Sequence, residues 1–146
     1  AGFRNITLYD LPQMNILQSY FLSKSLPNAK ISLYSDPNTN LESSEIRILP
    51  YWHLDQVPSK SFGICVNQDS LPEIPQQIAT HYLKEIKRTT RDFFYSINQE
   101  AKAPNYKAGI QESVPRLIDM VGGFERKMRT PFWCRQGYVQ EIYNMV

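Results

Sequence analysis

The sequence predicts an α/β fold built on a mostly parallel sheet with a closing antiparallel strand pair. Three observations carry that expectation. Short apolar, β-favouring runs alternate with longer stretches of helical spacing. Each apolar run stops at a polar or turn-forming cluster, as buried strands do where they reach the surface. The C-terminal part holds two further strand-like runs, Phe124 to Met128 and Tyr138 to Tyr143.

The elements follow in order. Ile6-Thr-Leu-Tyr9 is short, apolar and β-favouring, a buried-type strand. Pro12 suits a first helical turn. Met14, Leu17, Gln18, Tyr20, Phe21 and Leu22 then recur at helical spacing, ending before Pro27. Ile31 to Tyr34 is a second strand candidate, stopped by the turn signal Asp36-Pro37-Asn38, with a polar loop over 38–45. Ile46 to Leu49 is a third, stopped by Pro50, and Phe62 to Val66 a fourth. Ile74 to Thr90 reads as a helix with Ile78, Tyr82, Leu83 and Ile86 on one stripe. Asp92 to Ile97 is the fifth strand. Residues 101–113 are mixed and polar, a loop. Val114 to Val121 is a short helix broken by Gly122-Gly123, and Phe124 to Met128 with Tyr138 to Tyr143 makes the closing pair.

The length of 146 residues fits one domain with a real core. Hydrophobic content of 42% against 21% charged reads as globular rather than disordered. A net charge of +2 gives no electrostatic footprint for nucleic acid. No apolar run approaches the roughly 20 residues of a membrane span, and no charged-then-apolar leader opens the chain. Cys65 lies in an apolar run far from Cys134, so a buried thiol is expected rather than a disulfide. That fits a reducing compartment, hence the cytoplasm. The chain opens Ala1-Gly2-Phe3 without methionine, and the expectation is a processed product or a piece of a longer protein.

In a parallel sheet, right-handed crossovers bring the carboxyl ends of the strands to one edge, where ligands bind. Asp10 follows the first strand, Pro50-Tyr51-Trp52-His53 the third, Asn67-Gln-Asp69-Ser70 and then Glu73 the fourth, and Asn98-Gln-Glu100 the fifth. Each has a bland reading. Asp10 and Asp69-Ser70 could cap the helices that follow, Tyr51 and Trp52 could be core aromatics, and Glu100 a solvated charge. His81, inside a helix, reads as structural. An acid at such an end also has a chemical use: its oxygens accept the vicinal hydroxyls of a ribose, while a neighbouring aromatic stacks an adenine. Asp10 with Tyr51 and Trp52 therefore points to a nucleoside-containing cofactor.

The stretch Tyr9-Asp-Leu-Pro12 resembles a motif of S-adenosylmethionine-dependent O-methyltransferases whose acid holds the cofactor ribose. The ordered set YDLPQMNILQSYFLSKSLP (9–27), IRILPYW (46–52), FGICVNQDSLPEIP (62–75) and FFYSINQE (93–100) is similar to that of a family of sugar O-methyltransferases. The resemblance covers about the first 100 residues. It implies a Rossmann-like class I methyltransferase sheet. It places Asp10, with Leu11 beside it, at the ribose of S-adenosyl-L-methionine, Tyr51 and Trp52 at the adenine, and Asn67 beside the cofactor. Asp69, Glu73, Asn98 and Glu100 would face a carbohydrate acceptor.

One departure bears on this. The family opens with a strand and a glycine-rich turn, whereas the six glycines here form no G-x-G. The chain is expected to lack the first β–α unit, leaving two strand edges for a second copy or the remainder of a longer chain to cover. Methyl transfer to a hydroxyl needs alignment and a base. Glu73, Glu100, Asp69 and His53 are the candidates. Asp69, Asn98 and Glu100 could also offer oxygens to magnesium, although no metal site is assigned. Two other readings stay open: a non-catalytic methyltransferase-like domain kept for packing or assembly, and another nucleoside-binding enzyme such as a nicotinamide-dependent oxidoreductase.

Overall fold

A computed structural model describes residues 5–35, 45–105 and 109–146. The turn expected at 36–38 and most of the loop after it lie outside the described residues. The chain divides into two compact units, residues 1–57 and 58–146. Each is described by itself.

The first unit carries β1 (Ile6–Asp10), α1 (Pro12–Ser25), β2 (Ile31–Leu33) and β3 (Ile46–Pro50), followed by a 3-10 turn at Tyr51–Gln56. Its three strands form a parallel sheet in the order β1-β3-β2. Ile46, Ile48 and Leu49 are buried on the central strand. Helix α1 starts with Pro12 at its first position, as expected. Its facing, however, is the reverse of what the apolar spacing implies. Asn15 is its buried residue, whereas Met14, Leu17, Tyr20 and Phe21 are exposed, Phe21 by 66%. Periodicity located the helix but did not say which stripe the sheet would take.

The second unit carries β4 (Phe62–Gln68), a 3-10 turn at Leu71–Glu73, α2 (Gln76–Thr89), β5 (Thr90–Gln99), β6 (Ala103–Asn105), β7 (Gly109–Gln111), α3 (Val114–Val121), β8 (Phe124–Pro131) and β9 (Tyr138–Met145). Its main sheet has the order β4-β5-β9-β8. Strands β4 and β5 are parallel, and β9 and β8 close the sheet antiparallel. The expected closing pair is therefore present, three residues longer at the end of β8 and two at the end of β9. The short β6-β7 pair replaces part of what the sequence reads as loop.

One face of this sheet is packed by α2 and α3. Leu71, Ala79, Leu83, Ile86, Phe94, Val114, Leu117, Ile118 and Tyr143 form the core. Of the stripe expected on α2, Leu83 and Ile86 are buried, Tyr82 is half-buried against the core and Ile78 faces out, with Ala79 taking its place. Helix α3 is capped by Ser113, whose Oγ accepts from the Arg116 N–H at 3.5 Å. It ends at Gly122 and Gly123, both at positive φ. A side chain at Gly123 would run into Lys87, since a Cβ there would lie 2.2 Å from its Nζ.

Both cysteines are free thiols, as expected. Burial pushes the Cys65 thiol up to about 11, while Cys134 is exposed.

Candidate functional site

The carboxyl end of the first unit's sheet is set by strand register. Parallel pairing places Asp10 opposite Pro50, so Asp10 and Tyr51-Trp52 stand at adjacent strand ends. The Asp10 carboxylate does not cap α1 in the usual way. Its Oδ1 accepts from the next residue's N–H, Leu11, at 2.8 Å, and its Oδ2 accepts from Gln18 Nε2 at 2.7 Å. One donor on each oxygen leaves acceptor capacity on both. Tyr51 and Trp52 pack edge to face with ring centroids 5.0 Å apart, and they are 39% and 41% exposed. They are thus not core aromatics but a half-exposed pair packed against each other. Leu11, next to Asp10 in sequence, is exposed, and His53 packs on Tyr34 at 4.6 Å.

The carboxyl end of the second unit's sheet gathers Asn67, Asp69, Glu73, Asn98 and Glu100. Asn98 is buried, and its Nδ2 donates to the Asn67 carbonyl, Asn67 Oδ1 and Ser96 Oγ at 3.2, 3.1 and 2.9 Å. Asn67 in turn donates to Ser70 Oγ at 2.7 Å. Asn98 Oδ1 is buried without a partner among the described residues. Asp69 sits just past β4 at φ +58, a left-handed turn that Asp tolerates better than most residues. Its backbone N–H donates to the Ile97 carbonyl at 3.0 Å.

Two of the three acids that the sequence offers as bases have other partners. Asp69 accepts from Arg135 and from the Tyr138 hydroxyl. Glu100 pairs with Arg129. Arg129 also donates to the fully buried Glu141 at 2.8 Å, and Arg126 does so at 3.2 Å. The Glu100 backbone is held as well, its N–H by the Gly137 carbonyl at 2.9 Å and its carbonyl by Ser113 Oγ at 2.6 Å. Glu73, by contrast, is exposed and carries no side-chain ion pair among the described residues. Asp69 and Glu100 thus hold guanidinium groups where the sequence offered them to magnesium. Among the described residues no three His, Cys, Asp or Glu side chains group as metal ligands.

Sequence reasoning missed Arg129, Arg135, Tyr138 and Glu141. One signal was available for the last. In β9, Val139, Glu141 and Tyr143 alternate onto one buried face, so an acid stands where an apolar residue is expected.

Burial, then the hydrogen bond to Asp69, pushes the Tyr138 phenol up to about 12 from its ordinary 10. A phenol raised in the fold binds its proton more tightly folded than unfolded. Its stabilising contribution is therefore complete below about pH 10 and is lost as pH rises from about 10 to 12. Urea unfolding midpoints followed across that range should fall less steeply for Tyr138→Phe than for the parent. Cys65 and Tyr143 also release protons at alkaline pH, but both proteins share them. Identical slopes would mean that Tyr138 does not hold this bond to Asp69.

No family model and no curated protein matches the sequence. Solved structures do match in fold. A protein from Pyrococcus horikoshii OT3 superposes with a TM-score of 0.59 at 11% identity, over 96% of this chain and 82% of that one. The mitomycin 7-O-methyltransferase MmcR superposes at 0.57 and 11% identity, over 100% of this chain and 51% of its own. PigF, a structure holding S-adenosylhomocysteine, superposes at 0.57 and 11% identity, over 97% and 48%. The chain thus spans about half the length of MmcR and PigF. At such identities the likeness is one of fold, an α/β architecture shared with methyltransferases. Another match of similar score is described as a pericyclic reaction enzyme, so the fold does not fix the reaction.

Proposed function

We propose that this chain is part of an S-adenosylmethionine-dependent O-methyltransferase that acts on a sugar hydroxyl. The observation that carries the reading is the register pairing of Asp10 with Pro50 at the carboxyl edge of a parallel sheet. It sets a carboxylate with spare acceptor capacity beside a half-exposed aromatic pair. Those are the two surfaces an adenosine needs, one for the ribose diol and one for the base. Neighbours of the same fold that hold S-adenosylhomocysteine or S-adenosylmethionine support the choice of cofactor. The motif order read from the sequence supports the sugar.

When bound, the cofactor supplies a sulfonium methyl group with a good leaving group. The chain's residues bind and orient. Asp10 accepts the ribose hydroxyls, Gln18 holds Asp10 in place, Leu11 borders the ribose, and Tyr51 and Trp52 flank the adenine. Asn67, in the second unit, is proposed for the cofactor on the sequence resemblance alone. In the second unit Glu73 has the open carboxylate suited to take a proton from an acceptor hydroxyl. Asp69 and Glu100 position Arg135 and Arg129 at the same edge.

Calorimetric titration of S-adenosylhomocysteine into the protein tests the reading. Saturable binding is expected, and Asp10→Ala should weaken it by about 1–3 kcal/mol, the loss of a charged acceptor. Absence of heat and of thermal stabilisation would remove the cofactor. An unchanged affinity in the variant would remove Asp10 from the ribose.

A further inference from the structure

Helix α1 packs on all three strands of the first unit's sheet with a polar face. Asn15 is buried there, and Gln18, Ser19 and Leu22 are half-buried beside it. That face is incompletely satisfied. Asn15 Oδ1 and Gln18 Oε1 are buried without hydrogen-bond partners among the described residues. The opposite face carries Met14, Ile16, Leu17, Tyr20 and Phe21, exposed from 40% at Met14 to 66% at Phe21. A helix with only its own sheet to bury against would be more stable turned the other way. The observed facing keeps amides inside and leaves a continuous apolar stripe in water, and such a patch marks an interaction surface.

Spacing, size and charge say what covers it. Met14, Leu17, Phe21 and Lys24 recur by three, four and three residues, the seam of a helix pair. With roughly 200 Å² to a large side chain, about 600 Å² of apolar side chain stands open on one copy and about 1,200 Å² on two, the lower bound of a specific interface. Methionine and aromatic residues with few charges are also the composition of an interface centre. Lys24 is the one charged residue of the helix. The stripe therefore has little to offer a charged partner, whereas it complements itself. In an antiparallel pair centred between Leu17 and Phe21, Leu17 of each copy meets Phe21 of the other and the helix dipoles oppose. The two Lys24 side chains then start about 15 Å apart along the axis. A parallel pair would set them face to face.

We propose that the outward face of α1 is a self-association surface, through which two copies of this chain pair antiparallel about a two-fold axis by Met14, Leu17, Tyr20 and Phe21. The proposal stands apart from the methyl-transfer reading, because Gln18 reaches Asp10 from the other face of the helix. Sedimentation velocity from about 1 to 500 μM should show the mass doubling, as suits an interface at the lower size bound. Phe21→Glu and Leu17→Lys alter exposed side chains, so both should keep the parent's circular dichroism while weakening association about tenfold or more. Mixed, the two variants should associate more tightly than either alone, because the antiparallel pair sets the new cation of one against the new carboxylate of the other. Ile64→Glu changes an exposed apolar residue of β4, at the end of the second sheet's order, and should leave association as it was. A parent that stays monomeric to about 500 μM, association that survives Phe21→Glu, or a mixture no tighter than its parts would each overturn the proposal. Association lost in Ile64→Glu would overturn it too, moving the contact to the β4 edge.

Discussion

Replacing Glu141 by alanine is expected to cost about 1–3 kcal/mol of folding stability, the scale for leaving a buried phenol without its acceptor, because the two arginines that also bind Glu141 are 45% and 31% exposed. Glu141 is fully buried on the helix-covered face of β9. Its Oε1 accepts from Arg129 and Arg126, and its Oε2 accepts from the Tyr143 hydroxyl at 2.7 Å. Alanine leaves two guanidinium groups without their shared anion and a buried phenol without an acceptor. Against a typical domain stability of about 5–15 kcal/mol, that loss would be large. Glu141→Gln keeps the shape and one acceptor oxygen, so it should fall between alanine and the parent. Chemical denaturation of the three proteins side by side would show this order. Were alanine within about 0.5 kcal/mol of the parent, the cluster would not be holding the sheet. The substitution should also reach the edge of the sheet, because Arg129 bridges Glu141 to Glu100. Freed of Glu141, Arg129 no longer holds Glu100 in one position.

Phe94→Ala should cost more, about 3–5 kcal/mol, for a different reason. Phe94 is fully buried at the centre of β5. Its ring lies 5.8 Å from Phe124 and 6.2 Å from Tyr143, and those two rings are 6.0 Å apart. The triangle joins three strands of the sheet beneath α2 and α3. Truncation removes the transfer energy of the ring and leaves a cavity that strands on both sides cannot close. Phe94→Leu fills most of that space and should recover more than half of the loss. Equal midpoints for the leucine and alanine variants would show that the site collapses rather than opens. Phe94 and Tyr143 touch, so the Glu141 and Phe94 effects should not add when combined.

The residues that sequence exposed and those it concealed differ in kind. The placement of Asp10, Tyr51 and Trp52 at strand ends was legible because a strand's end is a local event: an apolar run stops and a polar or aromatic residue follows. The same logic found Asn67, Asp69, Asn98 and Glu100. It could not say what those side chains hold. Asp69 meets Arg135 66 residues later, and Glu100 meets Arg129 29 residues later. Both partners lie in the closing strand pair or its loop, where the sequence shows only ordinary surface charge.

Composition and periodicity by themselves determined the α/β class, the strands and helices over most of their lengths, the closing pair, and the two free thiols. All of these depend on neighbours within a few residues, where backbone preference and burial pattern act directly. Tertiary structure alone decided the register that sets Asp10 against Pro50, the outward turn of the α1 apolar stripe, the burial of Glu141 and the arginine partners of the acids. Each is a choice among surfaces brought together by strand pairing. The pairing energy comes from contacts between distant segments, which no local window of sequence contains.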